Sequence, residues 1–296
     1  MNWVTEPLQY PFMQRALLEM AIIGVLCGLI GCFVVLRGLA FIGDALAHAV
    51  FPGVVLSYIA GKSILFGAFF FGILTALAVG VLSRSRRVSE DSAIGVIFAA
   101  FFALGVVILS RQTGFRRDLG SLLFGNILGV SATDVWVTFA VAVVVVGVLL
   151  ALLKEFTLAA FDPTMARSAG YPVFALDLLL LLLVAATVVV SLQTVGNILI
   201  LALVVTPAAS ARLLTDHLGR MMAASTAIAV ASGVGGLYVS FHAATAASAT
   251  VVLTATAVFL VCLVFAPNHG LVSSYLARRH GHHHAHHYHA GEQLEG

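Results

Sequence analysis

Charge is what this chain has least of. Only 9% of its 296 residues are Asp, Glu, Lys or Arg, while 61% are hydrophobic and the mean hydropathy is +1.07. A soluble domain carries roughly a quarter charged residues. A chain with so few cannot cover a water-facing surface, so an ordinary soluble domain is excluded and its solvent is lipid. Cysteine is scarce too. Cys27, Cys32 and Cys262 lie inside apolar runs, form no CxxC pair, and read as small buried hydrophobes. The net charge of +2 is too small to suggest nucleic-acid binding. Residues 1–12 hold Glu6 and two prolines but no basic stretch, so no secretory signal is expected and the first apolar segment should be retained. An ATPase signature is missing as well. The Gly61-Lys62-Ser63 triplet would need a glycine five positions before Gly61 to be a phosphate-binding loop, and Leu56 stands there. No HExxH occurs either, which removes the commonest membrane metalloenzyme signature.

What the sequence does have is a series of apolar stretches, at about 16–36, 40–60, 64–82, 93–110, 132–153, 173–191, 195–213, 221–241 and 245–265. Each has the length, roughly 18–22 residues, that an α-helix needs to cross the hydrocarbon core at about 1.5 Å per residue. They predict an all-α fold, a polytopic transmembrane bundle of eight to nine spans. Segment 119–130 is too short and too polar to cross, and is expected to be re-entrant or interfacial. Gly24/Gly28 and Gly125/Gly129 form GxxxG pairs, which let helix backbones approach closely in lipid.

Basic residues set the expected orientation. Alternate connections and the C-terminal tail hold Arg37, Arg84, Arg86, Arg87, Lys154, Arg167, Arg212, Arg220, Arg278 and Arg279, ten in all, against Arg15, Lys62, Arg111, Arg116 and Arg117 on the other side. The positive-inside rule puts the first group in the cytoplasm, with the N-terminus outside and the C-terminus inside.

Ionisable residues within spans are costly and mark function by default. Asp44 and His48 open the second span four residues apart, on one helix face with Cβ atoms about 5–6 Å apart. A carboxylate and an imidazole so placed can share a divalent ion or simply pair with each other, and on chemistry alone these readings stand level. Pro52 and Gly53 follow one turn later, where a helix can bend or open carbonyls to a cavity. Asp177 is a second candidate for a buried acid, with Asp134 nearer an edge. Between the fifth and sixth spans, Asp162-Pro163 reads as an N-cap with Pro at the first helical position, and Gly170 and Pro172 stop the helix. The predicted short helix at 162–170 is either an ordinary surface turn or a docking peg, with Met165, Ala166, Ser168 and Ala169 as a small apolar knob and Arg167 at its rim. The seventh span carries Asn197 and a Thr206-Pro207 step. The tail holds seven of the eleven histidines, His280, His282, His283, His284, His286, His287 and His289. Gly281, Ala285 and Tyr288 interrupt the run as they would not an expression tag, so a native metal-attracting tail is favoured.

Four pieces in order, GCFVVLRGLAFIGDALAHAVFPGVVL (31–56), LFGNILGVSATD (123–134), FDPTMARSAGYP (161–172) and VGNILILALVVTPAASA (195–211), resemble the permease subunits of zinc- and manganese-type ABC importers. The similarity runs from about residue 12 to Pro267. It implies a permease domain over 1–267, a homodimer, no ATPase of its own and no permanently bound cofactor. It also implies docking to a cytoplasmic ATP-binding subunit through a coupling helix, and an extracytoplasmic metal-binding protein that delivers Zn2+ or Mn2+, with Fe2+ also a candidate. On that resemblance Asp44 and His48 fall on the ion pathway, and Asp162, Pro163, Met165, Ala166, Arg167 and Gly170 on the coupling helix. Asn197 and His242 are polar groups available to complete a transient shell. The His-rich tail, 268–296, lies outside the family pattern and is expected to be cytoplasmic and without fixed structure. The rival reading is an ion-coupled secondary metal transporter or channel, which needs no docking helix.

Overall fold

The computed structural model describes residues 5–84, 88–111 and 125–266. Arg86, Arg87, Arg116, Arg117, residues 119–124, and the tail with its histidines lie outside the described residues. Twelve α-helices are formed among the described residues: α1 (Pro11–Leu36), α2 (Ile42–Ala49), α3 (Phe51–Ile59), α4 (Ile64–Ser83), α5 (Glu90–Ser110), α6 (Ala132–Ala151), α7 (Leu153–Phe161), α8 (Pro163–Ser168), α9 (Val173–Val195), α10 (Asn197–Leu214), α11 (Leu218–Ala243) and α12 (Ala247–Phe265). With α2 and α3 taken as one broken span, nine segments among the described residues are long and apolar enough to cross a membrane. They fall where the apolar stretches predict. The first begins at Pro11 rather than 16, because proline at the first helical position starts α1 before the apolar run does.

Helices α1 and α10 lie against each other at the centre, α11 and α12 flank them on one side, and α9 packs on α4, α6 and α2 on the other. Close packing rather than water exclusion holds such a bundle together, so small residues sit where helices touch. At Gly24 and Gly28 an added Cβ would meet Val230 and the Thr226 backbone at 3.0 and 2.6 Å, so this pair is the α1–α11 contact. The Gly125/Gly129 pair is different: neither residue is in a helix–helix contact. Gly125 has φ +66 and presses on the backbone of Val195 and Gly196, while Gly129 ends a short 3-10 turn (Ile127–Gly129) against the Asn126 side chain. The spacing suggested a helix interface, but this piece is a docked loop.

Among the described spans, the second is the one divided into two helices. α2 ends at Ala49, Val50 takes φ −78 and ψ −10, and α3 starts with Pro52 in its first turn. Pro52 has no N–H to continue the ladder, so the break follows from the sequence. The new helix is held tightly: the Gly53 backbone lies so close to Gly67 of α4 that a Cβ would fall 2.1 Å from the Gly67 carbonyl oxygen.

Candidate ion site and docking helix

Asp44 stands in the first turn of α2 and His48 in its last. One helical turn brings His48 Nε2 within 3.5 Å of Asp44 Oδ1. The third member comes from 149 residues further on. Asn197 opens α10 directly after Gly196, and its Nδ2 lies 2.9 Å from His48 Nε2 and 3.3 Å from Asp44 Oδ1. The Asn197 Oδ1 is buried without a hydrogen-bond partner. Turning the amide over would therefore present an unsatisfied carbonyl oxygen beside a carboxylate oxygen and an imidazole nitrogen. Those three donors converge on one point, as ligands of a hard-to-borderline divalent cation do. Among the described residues no group of three His, Cys, Asp or Glu side chains is assembled, so thiolate-rich sites are absent there.

The surroundings give the group an orientation. The His48 ring lies against Phe98 and Phe102 of α5, at centroid distances of 5.6 and 5.5 Å, which leaves its Nε2 edge toward Asn197. A cavity of about 310 Å³ adjoins the group, and His48 and Asn197 are the polar side chains on a wall made otherwise by residues such as Phe51, Phe102, Val106 and Leu192. Such a wall offers an ion no competing ligand. His48 and Asp44 are 28% and 41% exposed, so the donors are reachable rather than sealed.

His242, the other candidate, is not brought to this group. It closes α11 beside Phe241, whose ring lies 5.7 Å from that of Tyr10, and α11 packs mainly on α1, α12 and α10. Asp177 is no lone buried acid either: its carboxylate pairs with the Arg37 guanidinium at 2.5 Å and ties the start of α9 to the turn between α1 and α2. Asp134 completes the capping box of α6 with Ser131. One ionisable residue escaped the sequence reading. Glu19 is fully buried in α1 and accepts a hydrogen bond from Thr138 at 2.8 Å. It lies inside the first predicted span, so the rule that flags ionisable residues within spans applied to it as it did to Asp44.

The short helix forms as its caps predict. Asp162 Oδ1 accepts from the N–H groups of Thr164 and Met165 at 3.0 and 2.8 Å. At the other end Gly170 takes φ +86, and the N–H groups of Gly170 and Tyr171 bond back to the carbonyls of Arg167 and Ala166. That is the glycine stop that satisfies a helix's last carbonyls. The helix presents Met165, 58% exposed, with Arg167, Ser168 and Ala169. Ala166 corrects the expected knob: it is fully buried against its own chain, because on a six-residue helix one face must rest on α7 and α9.

A bundle of this kind, with an internal convergence of ligand-type side chains and a capped helix projecting from a connection, defines a membrane transport subunit. The chain belongs to the ABC 3 transport family, whose model matches residues 9–266. It is 42% identical over 268 residues to the manganese transport system membrane protein MntC of Halalkalibacterium halodurans, covering 90% of this chain and 92% of that protein. It is 39% identical to the chelated iron transport system membrane protein YfeD of Yersinia pestis, over 88% of each chain. Among solved structures, PsaBC from Streptococcus pneumoniae in complex with Fab superposes with a TM-score of 0.81 at 34% identity, covering 94% of this chain and 99% of that one.

Proposed function

We propose that the chain is the membrane-spanning subunit of an ATP-driven importer of divalent transition metal, with Mn2+ as the first cargo and Fe2+ as the second, and that Asp44, His48 and Asn197 hold the ion in passage. The observation that carries this reading is the meeting of Asn197 with the Asp44–His48 pair. One carboxylate, one imidazole and one amide oxygen are too few for a tight cage. Loose coordination suits a pathway, from which an ion must leave as readily as it enters. Water or a second copy of the chain in a homodimer completes the shell. The relatives carry manganese or iron in their names, which favours these ions over the Zn2+ that the His-rich tail suggests. The permease domain spans 1–267. The tail, 268–296, attracts metal on the cytoplasmic side without choosing the cargo.

ATP hydrolysis belongs to a separate cytoplasmic subunit that receives the α8 knob, and an extracytoplasmic binding protein delivers the ion. Mn2+ uptake by cells carrying the whole system is expected to disappear with the ATP-binding subunit and to survive collapse of the proton gradient at constant ATP. Uptake that follows the gradient and ignores loss of the ATPase would make the chain a secondary carrier. Competition by Fe2+ and Zn2+ in the same assay ranks the ions: stronger competition by Zn2+ than by Fe2+ would put Zn2+ ahead of Fe2+ as cargo.

The orientation has its own test. Lys62 lies in the turn before α4 and Lys154 is exposed at the start of α7. In a chain with Cys27, Cys32 and Cys262 replaced by Ala, Lys62→Cys is expected to react with an impermeant thiol reagent in intact cells and Lys154→Cys only after lysis. The reverse pattern would turn the whole topology over.

A further inference from the structure

Asn197 is the first residue of α10, so the corner that precedes it helps to fix where its side chain lies. Its Cα is joined to α9 by a single residue, Gly196, which takes φ +82 and ψ 167 between the end of α9 and the first residue of α10. Wherever the peptides of Val195 and Gly196 are held, Asn197 follows.

Those peptides are held from outside the two helices. The Asn126 N–H donates to the Thr194 carbonyl at 3.1 Å. The Gly125 backbone lies so close to the corner that a Cβ there would sit 2.3 Å from the Val195 carbonyl carbon and 2.4 Å from the Gly196 nitrogen. From α12, Ser248 Oγ donates to the Val195 carbonyl at 3.3 Å. The carbonyls at a helix end need such partners, and here two of them are supplied by residues distant in sequence. Gly125 is constrained twice over: its φ of +66 favours glycine, and no side chain fits against the corner.

We propose that Gly125 and Asn126 are positioning residues of the ion site: by seating the Thr194–Gly196 corner they set Asn197 against Asp44 and His48. This rests on the reading of those three side chains as the ion's ligands. The fit works through backbone, so an added methyl at residue 125 moves the corner, and with it the Asn197 amide, by an amount that ligand geometry does not tolerate. Partners that orient metal ligands are worth about 10- to 100-fold in metal affinity, and this is the loss Gly125→Ala should show.

The test uses the full chain assembled with its ATP-binding subunit in lipid nanodiscs, titrated with Mn2+ and followed by the paramagnetic resonance of the bound ion, with the melting temperature measured without metal. Gly61→Ala is the control. Gly61 has φ +64 with nothing within 4 Å of a Cβ, so alanine there brings the same backbone strain and no collision. The expected result is a Mn2+ affinity about 10-fold or more weaker in Gly125→Ala and unchanged in Gly61→Ala, with a changed resonance of whatever Mn2+ still binds. If Gly125→Ala melts lower than the control yet binds Mn2+ as the wild type does, the corner is structural only and the proposal is overturned. Should Gly125→Ala not fold, Ser248→Ala loosens the same corner through its other anchor. A weakened affinity at normal stability then supports the proposal, and an unchanged one overturns it. Asn197→Ala separates the two layers. If it abolishes binding while the corner variants do not, the positioning role alone fails. If Asn197→Ala itself binds normally, the ligand reading fails and the positioning role with it.

Discussion

Met165→Asp is expected to leave the chain inserted and folded but unable to retain its ATP-binding subunit. Met165 is the large apolar side chain exposed on α8, at 58%, so in the free chain a carboxylate there reaches water. On the docking proposed above, the partner would cover the knob and take the charge out of water. An unpaired charge buried in an interface costs about 3–5 kcal/mol. That corresponds to a loss of association of roughly 100-fold or more. Ala166→Asp, which the sequence alone would have suggested for this test, reports something else. Ala166 is fully buried in its own chain, so a carboxylate there damages the fold before any docking is measured. Co-purification of the ATP-binding subunit with the two variants, beside their yield in the membrane, separates these effects. Undiminished co-purification with Met165→Asp would place the docking surface elsewhere.

Much of the fold was legible because lipid imposes a simple rule. A span must hide its backbone in a helix and present apolar side chains all round, so hydropathy and length locate α1, α4–α6 and α9–α12 within a few residues. Caps were legible for the same local reason. Asp162 and Gly170 act through bonds to residues two to four positions away, and no tertiary information is needed to expect them. Loop 125–130 belongs to a segment expected not to cross, and only its glycine spacing pointed to a helix interface, because GxxxG describes a pattern and not a conformation. The positive φ at Gly125 is set by the α9–α10 corner, which lies 70 residues away.

The candidate site was legible in part. Asp44 and His48 declare each other through the i,i+4 relation. Asn197 could be named only as a polar interruption in a span, on equal terms with His242, since nothing local tells which of them reaches α2. Packing decides it: α10 lies against α2, whereas α11 packs mainly elsewhere. The inward turn of Ala166 was hidden in the same way, because a helix as short as α8 has no periodicity from which to read a buried face. Glu19 is a different case. Its position inside an apolar run is visible in the sequence; its partner is not, since Thr138, which donates to it, is 119 residues away.

The central claim is that Asp44 and His48 hold the ion rather than merely each other. The double change Asp44→Asn with His48→Gln tests it most directly. Both replacements keep polar side chains of similar size on one face of α2, so a pair that only fastens the helix would be remade as a hydrogen bond. The negative charge that draws a cation into an apolar cavity, and the imidazole nitrogen that binds it, would both be gone. Because both side chains are partly exposed, their loss costs about 2 kcal/mol, the low end for a charged pair. Mn2+ uptake should then fall by roughly 30-fold or more. The decisive measurement is Mn2+ uptake by cells expressing the double variant, set beside the melting temperature of the purified assembly. Wild-type stability with uptake reduced to background is the predicted result; wild-type stability with near-normal uptake would contradict the assignment and leave the pair as a structural fastening.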